Sequence, residues 1–171
     1  MRRMILTLCT LVALASVATW VAFADSPHFV RASASLNNSG QLVVSWKEAG
    51  LGGGQTIHYE AGANQAQAIY ACINRGGQHP SAANKEDTNG PVISSGDFTA
   101  AKNGSINGSL TSGPLPSTLD CPNGQKFVLA SVSYSDIFVT DTNNGVTESI
   151  PGSFKACLLT GELAADPALC P

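Results

Sequence analysis

The stretch Val30-Arg31-Ala32-Ser33-Ala34-Ser35-Leu36-Asn37-Asn38-Ser39-Gly40-Gln41-Leu42-Val43-Val44-Ser45-Trp46 decides the fold. Val30, Ala32, Ala34 and Leu36 alternate with Arg31, Ser33 and Ser35, and Leu42, Val44 and Trp46 alternate with Gln41, Val43 and Ser45. Successive side chains of a strand point to opposite faces, so each run buries one face and wets the other. Asn38-Ser39-Gly40, between the runs, holds residue types that tolerate a tight reversal. The pattern predicts a hairpin from about Phe29 to Lys47, with Trp46 as a core residue on its second strand. Gly50, Gly52, Gly53 and Gly54 end it.

The same period runs outward from this hairpin. Ile57 and Tyr59 share a face, and Ile69, Ala71 and Ile73 alternate with Ala68, Tyr70 and Cys72. The piece between, Gly62 to Ala66, is ambiguous between one long strand and two strands with a turn, and its alanines suit a helix too; the β-branched and aromatic residues at both ends, and Gly62 inside, favour strand. Arg75 to Gly90 reads as a polar loop, followed by a weak strand from about Val92 to Ala100 and a turn at Asn103-Gly104. The longest strand runs from Lys126 to Thr140. Val128, Ala130, Val132 and Tyr134 share one parity, whereas Ile137 and Val139 have the other, which predicts a one-residue slip near Ser135-Asp136. Asn144-Gly145 turns the chain into a strand from Val146 to Ala156, and only the tail, Leu158 to Ala168, has modest helical character. Many short strands with turn signals between them predict an all-β, two-sheet antiparallel sandwich, immunoglobulin- or fibronectin-III-like in arrangement.

Before the first strand, Arg2 and Arg3 precede an apolar stretch from Met4 to about Val21, which ends in Ala22-Phe23-Ala24. A basic start, an apolar run and small residues at the cleavage positions make a secretory signal. The length approaches that of a membrane span, but Thr7, Thr10, Ser16 and Thr19 interrupt it and no basic cluster follows. The expected organisation is a signal peptide over residues 1–24, a β-sandwich domain over 25–156 and a C-terminal tail over 157–171. Cleavage after Ala24 removes 24 residues from 171 and leaves 147, the size of one domain. The whole chain has nine basic and twelve acidic side chains; losing Arg2 and Arg3 leaves the mature chain near −5. Nucleic acid is therefore excluded as a partner, since phosphate neutralisation by Lys and Arg supplies most of that affinity. Anionic membrane surfaces are disfavoured on the same ground.

Cys9 leaves with the signal, and Cys72, Cys121, Cys157 and Cys170 remain. An even number in an oxidising compartment predicts two disulfides, with three connectivities open. Pairing Cys157 with Cys170 would clip a tail that has little else to hold it, which leaves Cys72 to pair with Cys121. By the chain-entropy relation these loops are worth about 3 and about 4 kcal/mol respectively. The mature chain also resembles small secreted bacterial proteins of unassigned function. The resemblance runs through Ser45-Trp46-Lys47-Glu48-Ala49-Gly50-Leu51-Gly52, Tyr70-Ala71-Cys72-Ile73-Asn74 and Cys121-Pro122-Asn123-Gly124-Gln125. It implies no activity, and adds support for a Cys72–Cys121 bridge between a strand and the loop opposite.

Chemistry is sparse. No G-x-S-x-G elbow is present, and only His28, His58 and His79 could serve as bases. A hydrolase would need His58 or His79 to meet a carboxylate or a serine in space. Met1 and Met4 leave with the signal, so the mature chain has no thioether ligand, and the histidines lack partners at metal-binding spacing. No cofactor is expected. Calcium is the one metal with oxygen donors in reach: Asp136, Asp141, Asn143 and Asn144 near one sheet end, and Glu86-Asp87 in a loop. However, Asp141 to Gly145 lacks a ligand of the helix–loop–helix pattern and is accounted for as a tight turn. The resulting expectation is a secreted, non-catalytic module that binds an extracellular or surface partner. Its binding loop would be Arg75 to Gly90, through Arg75, His79 and Lys85. An inhibitor of extracellular hydrolases, presenting that loop or Gly113 to Asp120, is the first alternative, and a small hydrolase the second.

Overall fold

The computed structural model describes residues 26–74 and 84–171. Among these residues eight strands follow one another: β1 His28–Leu36, β2 Leu42–Ala49, β3 Thr56–Asn74, β4 Lys85–Thr99, β5 Ile106–Ser112, β6 Gln125–Asp141, β7 Val146–Ile150 and β8 Phe154–Cys157. One sheet has the order β1-β2-β5. The other has the order β4-β3-β6-β7, with β8 also paired to β6, and every pairing is antiparallel. The chain changes sheet between β2 and β3, between β4 and β5, and again between β5 and β6. The sandwich expected from the alternation is thus present, in the immunoglobulin/fibronectin-III-like manner.

Leu42, Val44, Trp46 and Glu48 of β2 are all buried, as strict period-2 alternation requires. The core between the sheets is aromatic at one end. Trp46 lies 4.9 Å from Tyr59 and 5.1 Å from Phe98, centroid to centroid, and Tyr59 meets Phe98 edge-on at 5.6 Å. Room for the indole comes from Gly108, which faces Trp46 in the β2–β5 ladder; a Cβ there would sit 2.3 Å from the ring. Both disulfides form in the favoured connectivity, with Cα–Cα separations of 5.5 Å for Cys72–Cys121 and 5.3 Å for Cys157–Cys170.

Several expectations are corrected. Val30 is 52% exposed, because an irregularity between Phe29 and Arg31 turns Phe29 into the core, 6.5 Å from Tyr59. The piece from Gly62 to Ala66 is strand, as its flanks favoured, and of the two strand readings it takes the single long one, inside a nineteen-residue strand. The slip near Ser135-Asp136 is present, with Asp136 at φ 54°, but it is not an extra residue in the β3–β6 ladder. Asn64 and Gln65 of β3 slip opposite it, so Ala63–Ile137 and Gln65–Ser135 keep one register, and Asn64 Nδ2 donates to Asp136 Oδ2 at 3.0 Å. At this level β6 exchanges partners, from β8 at Ser131–Tyr134 to β7 at Ile137–Asp141. The single strand expected from Val146 to Ala156 is accordingly two, β7 and β8, parted at Pro151-Gly152.

The polar loop expected from Arg75 to Gly90 becomes strand at Lys85. Its Asn89-Gly90, expected at the end of that loop, and Pro91 after it sit within β4. β4 is a sheet edge, the place where a strand tolerates proline. The tail has more to hold it than a disulfide. Leu163, in a short 3-10 helix at Gly161–Ala165, and Leu169 pack on Ile69, Ala71 and Ala130, making a second small core on the outer face of the larger sheet.

Candidate functional site

Of the loop expected to bind a partner, Arg75 and His79 lie outside the described residues. Lys85 opens β4 and reaches Asp166 Oδ2 at 3.5 Å, tying that strand to the tail. Glu86 beside it accepts from the Ser117 hydroxyl, from Thr118 Oγ1 at 2.7 Å, and from the Thr118 and Leu119 amides, each at 2.9 Å. Those donors, the two hydroxyls first, hold its carboxyl below the usual range. Glu86 thus clamps the β5–β6 connector, and the Tyr70 hydroxyl pins it again by donating to Leu115 O at 2.6 Å.

The calcium candidates have other partners. Asp141 is fully buried; its Oδ1 accepts from the Asn143 and Asn144 amides at 2.9 Å, and its Oδ2 from Asn144 Nδ2 at 2.6 Å. Asn143 Oδ1 accepts from the His58 amide at 2.8 Å. Three side-chain and amide donors on one carboxylate make it the organiser of the β6–β7 turn. Among the described residues no group of three His, Cys, Asp or Glu side chains is placed to hold a metal ion.

His58 does meet a carboxylate. On the outer face of the larger sheet its Nδ1 lies 2.7 Å from Asp97 Oδ1, across the β3–β4 pairing, where the ring N–H donates to the carboxylate. The two side chains are 42% and 68% exposed, and no serine hydroxyl among the described residues bonds the ring. The pair supplies an oriented base without a nucleophile.

A second polar group sits inside, at the end of the aromatic core. Glu48 Oε2 accepts from the Tyr59 hydroxyl at 2.6 Å, and both residues are fully buried. Its other oxygen, Oε1, has no donor. Burial pushes the Glu48 carboxyl up to about 7; Tyr59 opposes that shift, and the neighbouring Asp141 reinforces it.

The side chains that converge on open space lie elsewhere, on the outer face of the larger sheet beside the tail. The registers align Asn89 of β4, Gln67 of β3, Ser133 of β6 and Lys155 of β8 in one row across four strands. Opposed residues in a sheet share a face, so these four project together. The next row places Ser131 between Ile69 and Cys157. A hollow of about 110 Å³ opens over Gln67, Ser131, Ser133 and Lys155, walled by the Cys157–Cys170 bridge and Pro171. A shallower one of about 180 Å³ continues it over Gln65, Asn89 and Ser135, sharing Gln67 and Ser133. Gln67 Nε2 is fixed by both Asp87 oxygens at 3.0 and 2.8 Å, so the amide is oriented before any ligand arrives. Ser131 is 6% exposed, and its hydroxyl bonds no other described residue.

Period-2 reading puts Gln65, Gln67, Ser133 and Ser135 on wet faces, and on the sequence they pass for ordinary solvent-facing positions. Their one distinguishing mark is that outward positions of separate strands carry amides and hydroxyls in place of the usual mixed charges. Convergence depends on register, which one sequence does not state.

No protein-family model and no curated protein matches the chain. Among solved structures, it is similar to the X-ray structure of a Northeast Structural Genomics Consortium target. The two are 10% identical over 82% of this chain and 95% of that one, with a TM-score of 0.18. A likeness of that size carries no argument about fold or function.

Proposed function

We propose that the chain is exported and matures into a non-catalytic binding module, with the polar trough over Gln67, Ser131, Ser133 and Lys155 as its binding face. The observation that carries this reading is the four-strand row of two amides, one hydroxyl and one ammonium, opening on a hollow that Ser131 lines with a hydroxyl bonded to no other described residue. A concave site with a few convergent polar groups, set on rigid strands, is the usual form of a small-ligand site. Export is supported by the basic and apolar N-terminal stretch ending in Ala22-Phe23-Ala24 and by two disulfides.

The donor set favours a hydroxyl-rich ligand. Gln67 has its N–H side committed to Asp87, so its carbonyl is free to accept, while Ser131 and Ser133 donate or accept and Lys155 donates. Among the described residues no aromatic ring lines the trough, so recognition rests on hydrogen bonds, and binding is of modest strength. An amide-resonance titration of the labelled mature protein with a panel of sugars and sugar acids tests this. Shifts clustered at Gln67, Ser131, Ser133 and Lys155, abolished by Ser131→Ala with Lys155→Ala, are expected. Shifts clustered elsewhere, or none across the panel at millimolar ligand, would remove the trough from consideration.

The inhibitor reading is less well supported. The Gly113 to Asp120 segment is clamped by Glu86 and pinned by Tyr70, and its Leu115 and Leu119 pack on the core. A second reading, as a hydrolase, rests on the His58–Asp97 pair. Turnover of ester or peptide substrates that disappears in His58→Ala would establish it, and turnover surviving that change would not.

A further inference from the structure

We propose that the gap between β7 and β8, rimmed by Asp136, is a binding site separate from the trough, and that it takes a small organic amine: an ammonium group on an apolar chain or ring. The site arises where β6 exchanges partners. Its ladder with β8 covers Ser131 to Tyr134 and its ladder with β7 covers Ile137 to Asp141, so Ser135 and Asp136 have no ladder partner on that side. Pro151-Gly152 part the two strands at the same level. A hollow of about 440 Å³, open to solvent, lies there, lined by Asp136, Ile137, Ser149, Ile150, Pro151 and Gly152. It is larger than either hollow of the trough. It also falls within the roughly 300 to 1,000 Å³ of small-molecule sites. Ile137 and Ile150 are buried members of the core and make its floor, and with Pro151 they give it a mostly apolar lining.

Asp136 supplies the charge on this lining. Its Oδ2 accepts from Asn64 Nδ2 at 3.0 Å, while its Oδ1 bonds no other described residue. Among the described residues no cation pairs with Asp136 and none lines the hollow. Lys155, the basic residue of β8, stands opposite Ser133 and lines the trough instead. The fold does not ask for this charge. An asparagine would adopt the left-handed backbone at φ 54° as readily and would accept the same hydrogen bond through its amide oxygen. What the carboxylate adds is a charged acceptor at the edge of an apolar hollow. An ammonium donor with an apolar body answers both features at once. Strained backbone positions such as this one gather at ligand sites. A calcium ion, which takes roughly six to eight oxygen ligands, would find one carboxylate and one hydroxyl among the side chains of the lining.

Amide-resonance titrations of the labelled, oxidised mature protein with hexylamine and benzylamine, each beside its neutral alcohol, test the site at about pH 7, where both amines carry a proton. Shifts clustered at Asp136, Ile137, Ser149, Ile150 and Gly152 are expected, with the amines binding roughly three- to tenfold more tightly than the alcohols. Asp136→Asn, which keeps the shape and the Asn64 contact, should remove that preference and leave alcohol binding unchanged. On the unaltered protein, added salt should weaken the amines and spare the alcohols, and this comparison decides alone if the variant does not fold. The proposal is overturned if the amines leave these positions unshifted, if amine and alcohol bind equally, or if the preference survives Asp136→Asn. The same shifts produced by calcium chloride alone would overturn it too. None of these outcomes touches the trough, whose probes are sugars and whose shifts would fall at Gln67, Ser131, Ser133 and Lys155.

Discussion

At the scale of single residues, Glu48 is the outlier of the molecule. It occupies the fourth inward position of β2, after Leu42, Val44 and Trp46, and it is as buried as they are. Alternation alone places it inside, but its hydrogen-bond partner, Tyr59, comes from β3, so nothing near it in the chain announces it. Because its folded value is raised from 4.5 to about 7, the folded state holds the proton more tightly than the unfolded chain. Stability from this group is fully present below the ordinary carboxylate value and is lost as pH rises through the raised one. Unfolding free energy is therefore expected to fall by on the order of 2 to 3 kcal/mol between about pH 4.5 and about pH 8, and Glu48→Gln should flatten that slope in denaturant titrations. Glu86 has the opposite sign: its hydroxyl and amide donors contribute above the ordinary carboxylate range, and their contribution fades on acidification. Gly108 is the other residue with a single reason. Gly108→Ala would drive a methyl into the Trp46 ring, at an expected cost of roughly 2 to 3 kcal/mol. Trp46 is the one tryptophan of the chain after residue 24, so a red shift of its fluorescence in the mature variant should accompany the loss.

At the scale of elements, β3 and β6 form the spine of the larger sheet, and the paired slip at Asn64-Gln65 and Ser135-Asp136 is its hinge point. The parity change in β6 was legible in the order of its apolar residues. The answering change in β3 was not, because the alanines on either side of Asn64 suit either face. Asp136 pays for the slip with a left-handed backbone, φ 54°, which costs a residue with a Cβ roughly 1 to 2 kcal/mol. Asp136→Gly should consequently melt higher than Asp136→Ala, which loses the Asn64 hydrogen bond and keeps the strain; equal melting temperatures would show that the slip is held by its neighbours alone. β4 carried the opposite lesson. Asn89-Gly90-Pro91 has turn composition, yet an edge strand needs ladder bonds on one side only, and the β3 partner supplies them.

At the scale of the whole molecule, the two disulfides hold different things. Cys72–Cys121 spans 49 residues and ties the end of β3 to the β5–β6 connector, whereas Cys157–Cys170 spans 13 and closes the tail over the sheet. Replacing Cys157 and Cys170 by serine should cost less than the roughly 3 kcal/mol of the loop relation, because Leu163 and Leu169 keep the tail docked. Replacing Cys72 and Cys121 should cost more, near 4 kcal/mol. Chemical unfolding of the two double variants checks the order. The first variant should also weaken ligand binding in the trough, since the bridge is one of its walls.

The fold class, the first hairpin, most of the turns and the pairing of an even set of cysteines are local or nearly local properties, and the amino-acid order by itself determined them. Period 2 says which side chains are buried, and Asn, Gly and Pro say where the chain reverses. Tertiary structure decided which strands are neighbours and in what register. That choice brought Glu48 against Tyr59, His58 against Asp97, and Asn89, Gln67, Ser133 and Lys155 into one row. The reason is physical: a strand specifies its own faces, but a surface or a buried pair assembled from three or four strands exists only once their hydrogen-bonded ladders are in place.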